Sequence, residues 1–194
     1  MNISKEEVLI VCALEQEAQS MLGGWNVIYT GIGKVNAAYI LTRFLSLQKP
    51  RLVINYGTAG SKNLDIGTLV DCTKFIQRDM DKTPLGFIKG ETPFEPQIPM
   101  VIDCSETEFN TIGKNCICGT GDNFVQDASG EIESVEVFDM EAYALAKVCA
   151  FFEVPFISYK YITDNADENS HKDWQENITD GIQIFKEEVL NKIK

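Results

Sequence analysis

The sequence predicts one α/β domain built around a mainly parallel sheet. Continuous apolar runs at 8–14 and 52–55 are typical of strands that are buried on both faces of such a sheet. Helical segments with apolar faces alternate with these runs, which gives the order βαβαβ…αβα. A chain of 194 residues is long enough to bury a substantial core. Because no linker, repeat or low-complexity tract interrupts it, we expect a single domain over residues 1–194.

The net charge of the chain limits the classes of molecule that it can bind. Seventeen basic residues against 29 acidic ones give a formal net charge of −12. A surface of this charge repels phosphate backbones and anionic lipids. We therefore expect a small-molecule partner, with no nucleic acid and no membrane.

The sequence also predicts a cytoplasmic location. The first apolar run continues into Glu15 and Glu17 without the cleavage pattern of a signal peptide, and no run approaches the roughly 18 apolar residues of a membrane span. The six cysteines are scattered without a C-x-x-C pair, which favours buried thiols over disulfides or metal ligands. The single histidine excludes a histidine-based metal site, and we expect neither metal nor cofactor.

The first half of the chain predicts four strands and two helices. The strand at 8–14 leads into a short helix that ends near residue 23. A strand at 27–30 precedes a largely apolar helix that runs to about Leu47. The strand at 52–55 follows, and an alternating strand covers 67–75.

Glycine-bearing turns follow several of the predicted strands. They are 31–38, 56–61 with Thr58, and 119–125 with Phe124. Backbone amides beside glycine can approach an anion or a sugar, although a tight turn without a ligand explains the same residues. The first turn lacks the spacing of a phosphate-binding Walker loop, and Asn36 breaks the dinucleotide fingerprint.

The segment 77–99 is irregular and holds four of the six prolines. A loop of this length in a compact domain is usually functional or mobile. Its apolar residues predict packing on a pocket rim or on a partner subunit. Short strands are expected next at 101–102 and 116–118, with a weak helix near 106–112.

Acidic residues that core packing does not explain lie in the stretch 135–170. A helix predicted from Asp139 to Phe152 begins with Asp139 and Glu141. A strand at 156–162 ends in Thr163 and Asp164, and an amphipathic helix at 174–192 completes the chain.

The placement of these acids indicates a ligand site. In open α/β sheets, ligands lie beyond the carboxyl ends of the strands, where Glu17 and Asp164 fall. Complementarity to the helix dipole is an equal explanation for Glu15 or Glu17. Carboxylates without a metal or a histidine partner suit glycosyl transfer through an oxocarbenium-like transition state. The acid among them must stay protonated near neutral pH, which predicts a pKa raised by burial.

Six segments carry a resemblance to a known family. They are A-L-E-Q-E-A (13–18), G-I-G-K-V-N-A-A (31–38), V-I-N-Y-G-T-A-G (53–60), G-D-N-F-V (121–125), F-D-M-E-A (138–142) and Y-I-T-D-N-A-D (161–167). In this order the chain resembles the 5′-methylthioadenosine/S-adenosylhomocysteine nucleosidases of the nucleoside phosphorylase superfamily. The resemblance implies a three-layer α/β/α domain with a central mixed, partly barrel-like sheet. It also implies a homodimeric purine nucleosidase of methionine salvage.

The resemblance implies a role for each matching residue. Glu17 would hold and activate the water, and Asp164 would protonate purine N7 with the assistance of Thr163. Glu141, with Met140, would bind the ribose hydroxyls. The other substrate-binding residues would be Phe124 and Val125 at the base, Thr58 in the sugar-side loop, and Leu14, Ile32 and Trp174 in the 5′-alkylthio pocket.

Water is the expected nucleophile. Phosphorylases of the superfamily carry an arginine just before the loop that corresponds to 57–60, where this chain has Asn55 and Tyr56. Glu17 would also repel phosphate. A phosphate-dependent purine nucleoside phosphorylase and a non-catalytic nucleoside-binding homologue remain the alternatives.

The chain departs from the family pattern at several positions. Asp139 stands where the family has Glu, Lys160 where it has Arg, and both Thr58 and Thr163 where it has Ser. The N-terminal hairpin is shortened, and the segment that begins at Arg78 has no close match. These departures leave the base and the 5′ substituent open.

Overall fold

Eight strands and five α-helices are present in the computed structural model, which describes residues 3–95 and 99–194. The strands are β1 Val8–Cys12, β2 Asn26–Tyr29, β3 Leu52–Gly60, β4 Leu69–Gln77, β5 Val101–Asp103, β6 Cys116–Thr120, β7 Val137–Asp139 and β8 Phe156–Asp164. The helices are α1 Glu15–Ala18, α2 Lys34–Leu45, α3 Ala142–Phe152, α4 Ser170–Asn177 and α5 Gly181–Glu188. Short 3-10 turns lie at Lys5–Glu7, Thr83–Leu85 and Leu190–Lys192.

The sheet is mixed and partly closed. β1 pairs in parallel with β2 and β3, and β3 continues in parallel with β8. β8 runs antiparallel to β4, β4 runs parallel to β6, and β6 runs parallel to β7. β7 returns to β3 through the antiparallel pair Phe138–Gly60, so five strands form a closed ring. The predicted partly barrel-like mixed sheet is confirmed.

Helices cover both faces of the sheet, as the predicted three-layer architecture requires. Apolar residues of α2 and α3, among them Leu41 and Leu145, pack into one core with the sheet. On the other face, α5 contributes Ile182 and Phe185, and the Phe185 ring stacks on Tyr56 with centroids 4.4 Å apart. Burial of these apolar stripes is what drives the layers together.

The residues 56–61, expected as a loop, are almost entirely strand. β3 runs through Gly60 because β8 pairs with it along its whole length. The small residues in this stretch allow charged side chains to approach the backbone. A Cβ atom on Gly60 would lie 2.5 Å from an Asp164 carboxylate oxygen, and one on Gly57 would lie 3.3 Å from the Lys160 Nζ. The composition that suggested a turn therefore reflects close packing within a strand.

Four other predictions of secondary structure were wrong. The first short helix ends at Ala18 and not near residue 23. Asp139 ends β7 and does not begin a helix, and α3 starts at Ala142. The single helix expected at 174–192 is divided into α4 and α5, because the chain turns between Asn177 and Gly181. The helix expected near 106–112 is absent, and the chain in that range is irregular with isolated bends.

Within residues 3–95 and 99–194, no helix combines the length and apolar character that crossing a bilayer requires. All six cysteines are free, and five of them are buried, as the scattered spacing predicts.

Candidate active site

A cavity of about 290 Å³ opens at the carboxyl ends of β1, β3, β7 and β8. Every predicted site residue except Thr163 lines it: Leu14, Glu17, Ile32, Thr58, Phe124, Val125, Met140, Glu141, Asp164 and Trp174. Thr163 is fully buried beside Asp164. The volume is close to the lower end of the range for small-molecule sites, about 300–1,000 Å³.

Glu17 is held at the wall of the cavity by three donors. α1 begins directly after β1, so the third residue of this helix turns back toward the strand end. The Leu14 N–H donates to Glu17 Oε2 at 3.0 Å, and the Thr58 N–H and hydroxyl donate to Oε1 at 2.9 and 3.0 Å. The Trp174 indole N–H donates to the same Thr58 hydroxyl at 3.1 Å. Glu17 is only 4% exposed, and these bonds fix its orientation.

Asp164 lies at the last position of β8, where the chain leaves the sheet. The Thr163 hydroxyl donates to Asp164 Oδ2 at 2.9 Å, and the Ala166 N–H donates to Oδ1 at 3.1 Å. Burial raises the pKa of Asp164, and these hydrogen bonds oppose the rise only in part. The pKa of Asp164 is therefore shifted in the direction that the sequence analysis expects of the acid.

Glu141 lies at the N-cap of α3 and reaches across to the start of α2. The Gly33 N–H donates to Glu141 Oε1 at 2.8 Å. Burial and the negative charge of Asp139 raise the pKa of Glu141 to about 8, although Lys160 and the Gly33 bond act in the opposite direction. These surroundings favour the neutral carboxyl at neutral pH.

Asp139 and Lys160 form a buried ion pair beneath the cavity. The Lys160 Nζ lies 2.8 Å from Asp139 Oδ2, and the two side chains are 1% and 0% exposed. Burial alone would raise the pKa of Asp139, but the Lys160 ammonium holds it below its ordinary value. Asp139 Oδ2 also accepts the Ala142 N–H at 2.8 Å, so Asp139 caps α3 although it belongs to β7.

Aromatic side chains form the outer wall of the cavity. The rings of Phe124 and Trp174 meet edge to face, with centroids 6.4 Å apart. Phe124 is 40% exposed, which leaves its face accessible to a ligand. Leu14 and Ile32 lie on the same cavity and make it largely apolar.

The cavity also contains residues that the sequence reasoning missed, notably Arg78, Asn123 and His171. His171 could have been found from its spacing, since it precedes Trp174 by one turn of α4. Arg78 follows β4 directly, at the strand end where ligands lie in such sheets. Among the residues that the structure describes, no cluster of three or more His, Cys, Asp or Glu has the geometry of a metal site.

We expect the stability of the ligand-free protein to fall as the pH rises, in part because of Glu141. Its pKa is about 8 in the folded protein against an ordinary 4.5, so the unfolded chain releases the proton at lower pH. The free energy of unfolding then decreases between these two values. Glu141→Gln removes this contribution, and its melting temperature relative to the unchanged protein should be higher at pH 8 than at pH 5. An equal difference at both pH values would contradict the assignment.

The fold and the carboxylate-lined cavity define a class of protein. Residues 18–193 match the family model of the phosphorylase superfamily, and the chain belongs to that superfamily. Within it, the chain belongs to the 5′-methylthioadenosine/S-adenosylhomocysteine nucleosidases.

Two relatives and one solved structure illustrate this membership. The nucleosidase of Haemophilus ducreyi is 37% identical over 166 residues, with 78% of this chain and 72% of that protein covered. The nucleosidase of Glaesserella parasuis is 35% identical over 180 residues, with 84% and 78% covered. The crystal structure of the Neisseria meningitidis nucleosidase in complex with methylthio-immucillin-A superimposes with a TM-score of 0.73, at 26% identity and with 87% of this chain and 90% of that chain covered. The resemblance inferred from the six sequence segments is confirmed.

Proposed function

We propose that the protein is a purine nucleosidase that hydrolyses the N-glycosidic bond of 5′-methylthioadenosine/S-adenosylhomocysteine-type nucleosides. The products would be the purine base and the free sugar. The observation that carries the proposal is the convergence of three buried carboxyl groups, Glu17, Glu141 and Asp164, on one cavity. Each is held by different donors, so each can act separately.

Asp164 is the proposed general acid. Burial raises its pKa and so favours the protonated form, and transfer of that proton to N7 turns the purine into a neutral leaving group. The C1′–N9 bond then breaks, and positive charge develops on the ribosyl group. The Thr163 hydroxyl and the Ala166 N–H stabilise the aspartate that remains.

Glu17 is the proposed water-activating residue. A carboxylate offers about four lone-pair sites, and three donors already bind this one. The remaining capacity can accept a proton from water as the oxygen attacks C1′. Thr58 donates a hydrogen bond to Glu17 and accepts one from the Trp174 indole, and these bonds fix the position of the Glu17 carboxylate.

Glu141 and Met140 are proposed to bind the ribose. A carboxyl group at this position can bond the 2′ and 3′ hydroxyls, and Met140 supplies an apolar contact beside it. Phe124 is proposed to stack on the purine while the Val125 backbone reads the base edge. Leu14, Ile32 and Trp174 would take the 5′-alkylthio group, since apolar side chains suit the thioether that 5′-methylthioadenosine and S-adenosylhomocysteine share.

The charges around the cavity support water over phosphate as the nucleophile. Arg78 lines the cavity, but its guanidinium is bonded to Asn123 and Glu131. Lys160 is paired with Asp139. Both cations are therefore paired with carboxylates of the protein, and Glu17 on the cavity wall would repel a phosphate dianion.

Product analysis tests the proposal. Pure protein is incubated with 5′-methylthioadenosine, S-adenosylhomocysteine, adenosine and inosine, with and without phosphate, beside Asp164→Asn protein prepared in the same way. We expect free sugar from the first two substrates at a rate that does not depend on phosphate. Sugar-1-phosphate would identify a phosphorylase, and the absence of base release would favour a nucleoside-binding homologue.

A homodimer is proposed as the working assembly. Val35 and Tyr39 lie one turn apart on α2 and are 77% and 62% exposed, and Ile32 beside them is 48% exposed and also lines the cavity. Apolar side chains grouped in this way mark protein–protein contacts. Light scattering at micromolar concentration should give twice the chain mass, and Tyr39→Glu should give the monomer. A monomeric unchanged protein would contradict the proposal.

We further propose a cytoplasmic enzyme of methionine salvage that acts as a single domain over residues 1–194. The six free thiols support a reducing compartment. The match of the superfamily model to residues 18–193 supports a single domain.

A further inference from the structure

The loop that follows β6 is held from one side by a buried arginine. We define residues 121–125 as the base loop, because it presents Phe124 and Val125 to the cavity. Arg78 is 1% exposed. Its Nη2–H donates to the Asn123 carbonyl oxygen at 2.6 Å, and its Nη1–H donates to Asn123 Oδ1 at 3.1 Å. The same guanidinium pairs with Glu131 at 2.9 Å, which supplies the counter-charge that its burial requires.

The glycine that opens the base loop is explained by this contact. A Cβ atom on Gly121 would lie 2.8 Å from the Arg78 guanidinium carbon, so only glycine lets the arginine reach Asn123. The guanidinium also lies over the Phe138 ring, 5.9 Å from its centroid. Gly121 and Phe138 therefore lie on the sides of the guanidinium while Asn123 and Glu131 bind its two terminal nitrogens.

Asp79, which follows Arg78, binds the neighbouring residue of the base loop. The Asp122 N–H donates to Asp79 Oδ2 at 2.9 Å. The Lys34 Nζ pairs with the same carboxylate, and the Lys34 N–H donates to Asp122 Oδ1 at 2.8 Å. The residue before Lys34 is Gly33, whose N–H donates to Glu141. These hydrogen bonds therefore connect the base loop to the side chain that is proposed to bind the ribose.

We propose that Arg78 and Asp79 are positioning residues that set the selectivity of the site for the purine base. The proposal rests on the proposed function. Neither residue needs to touch the substrate. They fix the backbone of Asn123 and Asp122, and this placement decides where the next two residues present their hydrogen-bonding groups to the base edge. A site that reads a base by buried polar groups rejects the wrong base because those groups are then left unpaired.

The test compares a 6-aminopurine nucleoside with its 6-oxopurine counterpart, 5′-methylthioadenosine with 5′-methylthioinosine. In Arg78→Lys the charge remains but the two-pronged grip on Asn123 is lost. In Asp79→Ala the contacts to Asp122 and Lys34 are lost. Because a displacement of about 1 Å can cost about 100-fold, we expect kcat/KM for the aminopurine to fall by about 10–100-fold, mainly through KM. The aminopurine-to-oxopurine ratio of kcat/KM should fall at least tenfold in both variants.

Asp71→Asn is the matched control. Asp71 is fully buried on β4 and accepts the Lys114 N–H, the Asn115 N–H and the Asn110 amide, so it anchors a loop that does not line the cavity. This variant should lose thermal stability without a change in the base ratio. If Arg78→Lys does not fold, the base ratio of Asp79→Ala tests the proposal, because Asp79 is less buried than Arg78. Folded variants whose ratio stays within twofold of the unchanged protein would overturn the proposal.

Binding of free adenine and free hypoxanthine, measured by calorimetry, separates this proposal from the proposed function. If the unchanged protein hydrolyses the nucleosides but the variants keep its base ratio, the positioning role fails and the hydrolase assignment stands. If it does not hydrolyse them but binds adenine selectively, and the variants lose that selectivity, the hydrolase assignment fails and the positioning role stands. If it binds neither base and hydrolyses neither nucleoside, both fail.

Discussion

Asp164→Asn is expected to abolish hydrolysis while the protein remains folded. Asparagine has the shape of aspartic acid and can still accept the Ala166 N–H, but it has no acidic proton to give to purine N7. Loss of a positioned general acid lowers kcat by about 10²–10⁴. The measurement is the rate of adenine release from 5′-methylthioadenosine, together with the melting temperature of the variant.

Asp167→Asn provides the control for this experiment. Asp167 lies three residues further along the same segment, and its carboxylate accepts the Asn169 N–H at 2.8 Å without lining the cavity. Its turnover should remain near that of the unchanged protein. Near-normal turnover in Asp164→Asn would contradict the assignment of Asp164 as the general acid.

Among the variants proposed here, Lys160→Met is expected to lower the free energy of unfolding most. It leaves the buried carboxylate of Asp139 without its counter-ion, and the two groups are 2.8 Å apart with almost no exposure. Removing one member of such a pair costs about 3–5 kcal/mol, because the desolvated charge that remains has no partner. Chemical denaturation should report this loss as a lower midpoint.

A double-mutant cycle with Asp139→Asn identifies the cause of that loss. If the pair is the origin of the effect, Lys160→Met with Asp139→Asn should be less destabilised than the sum of the two single variants. Additive losses would show that the two side chains act independently. Asp139→Asn keeps an oxygen that can accept the Ala142 N–H, so the start of α3 is retained in the cycle.

The acids at strand ends were predictable for a physical reason. Apolar strands buried on both faces leave little room for charge, so Glu17 shortly after β1 and Asp164 at the end of β8 indicate a site. The same rule did not identify Arg78, which lies at the end of β4 in a segment whose prolines and glycines carry no periodic pattern. Its partners, Asn123 and Glu131, are 45 and 53 residues away in sequence.

The stretch 56–60 shows how local composition can mislead. Glycine and small residues indicate a turn when only neighbours in sequence are considered. Here β8 pairs with them along the whole stretch, and the space above Gly57 and Gly60 is taken by the side chains of Lys160 and Asp164. Pairing with a strand about 100 residues away outweighs the local preference, as is common for β-structure.

By itself the sequence determined the α/β class and the family, and it named ten residues that line the cavity, because these depend on apolar periodicity and on short segments that keep their order. Only the tertiary structure decided how the carboxyl groups are tuned. Burial raises the pKa of Asp164, and burial together with the charge of Asp139 raises that of Glu141. The pairing of Asp139 with Lys160 comes from two strands that are separated in the chain by α3. Burial and charge–charge distance are properties of the packed molecule, so no local pattern of residues contains them.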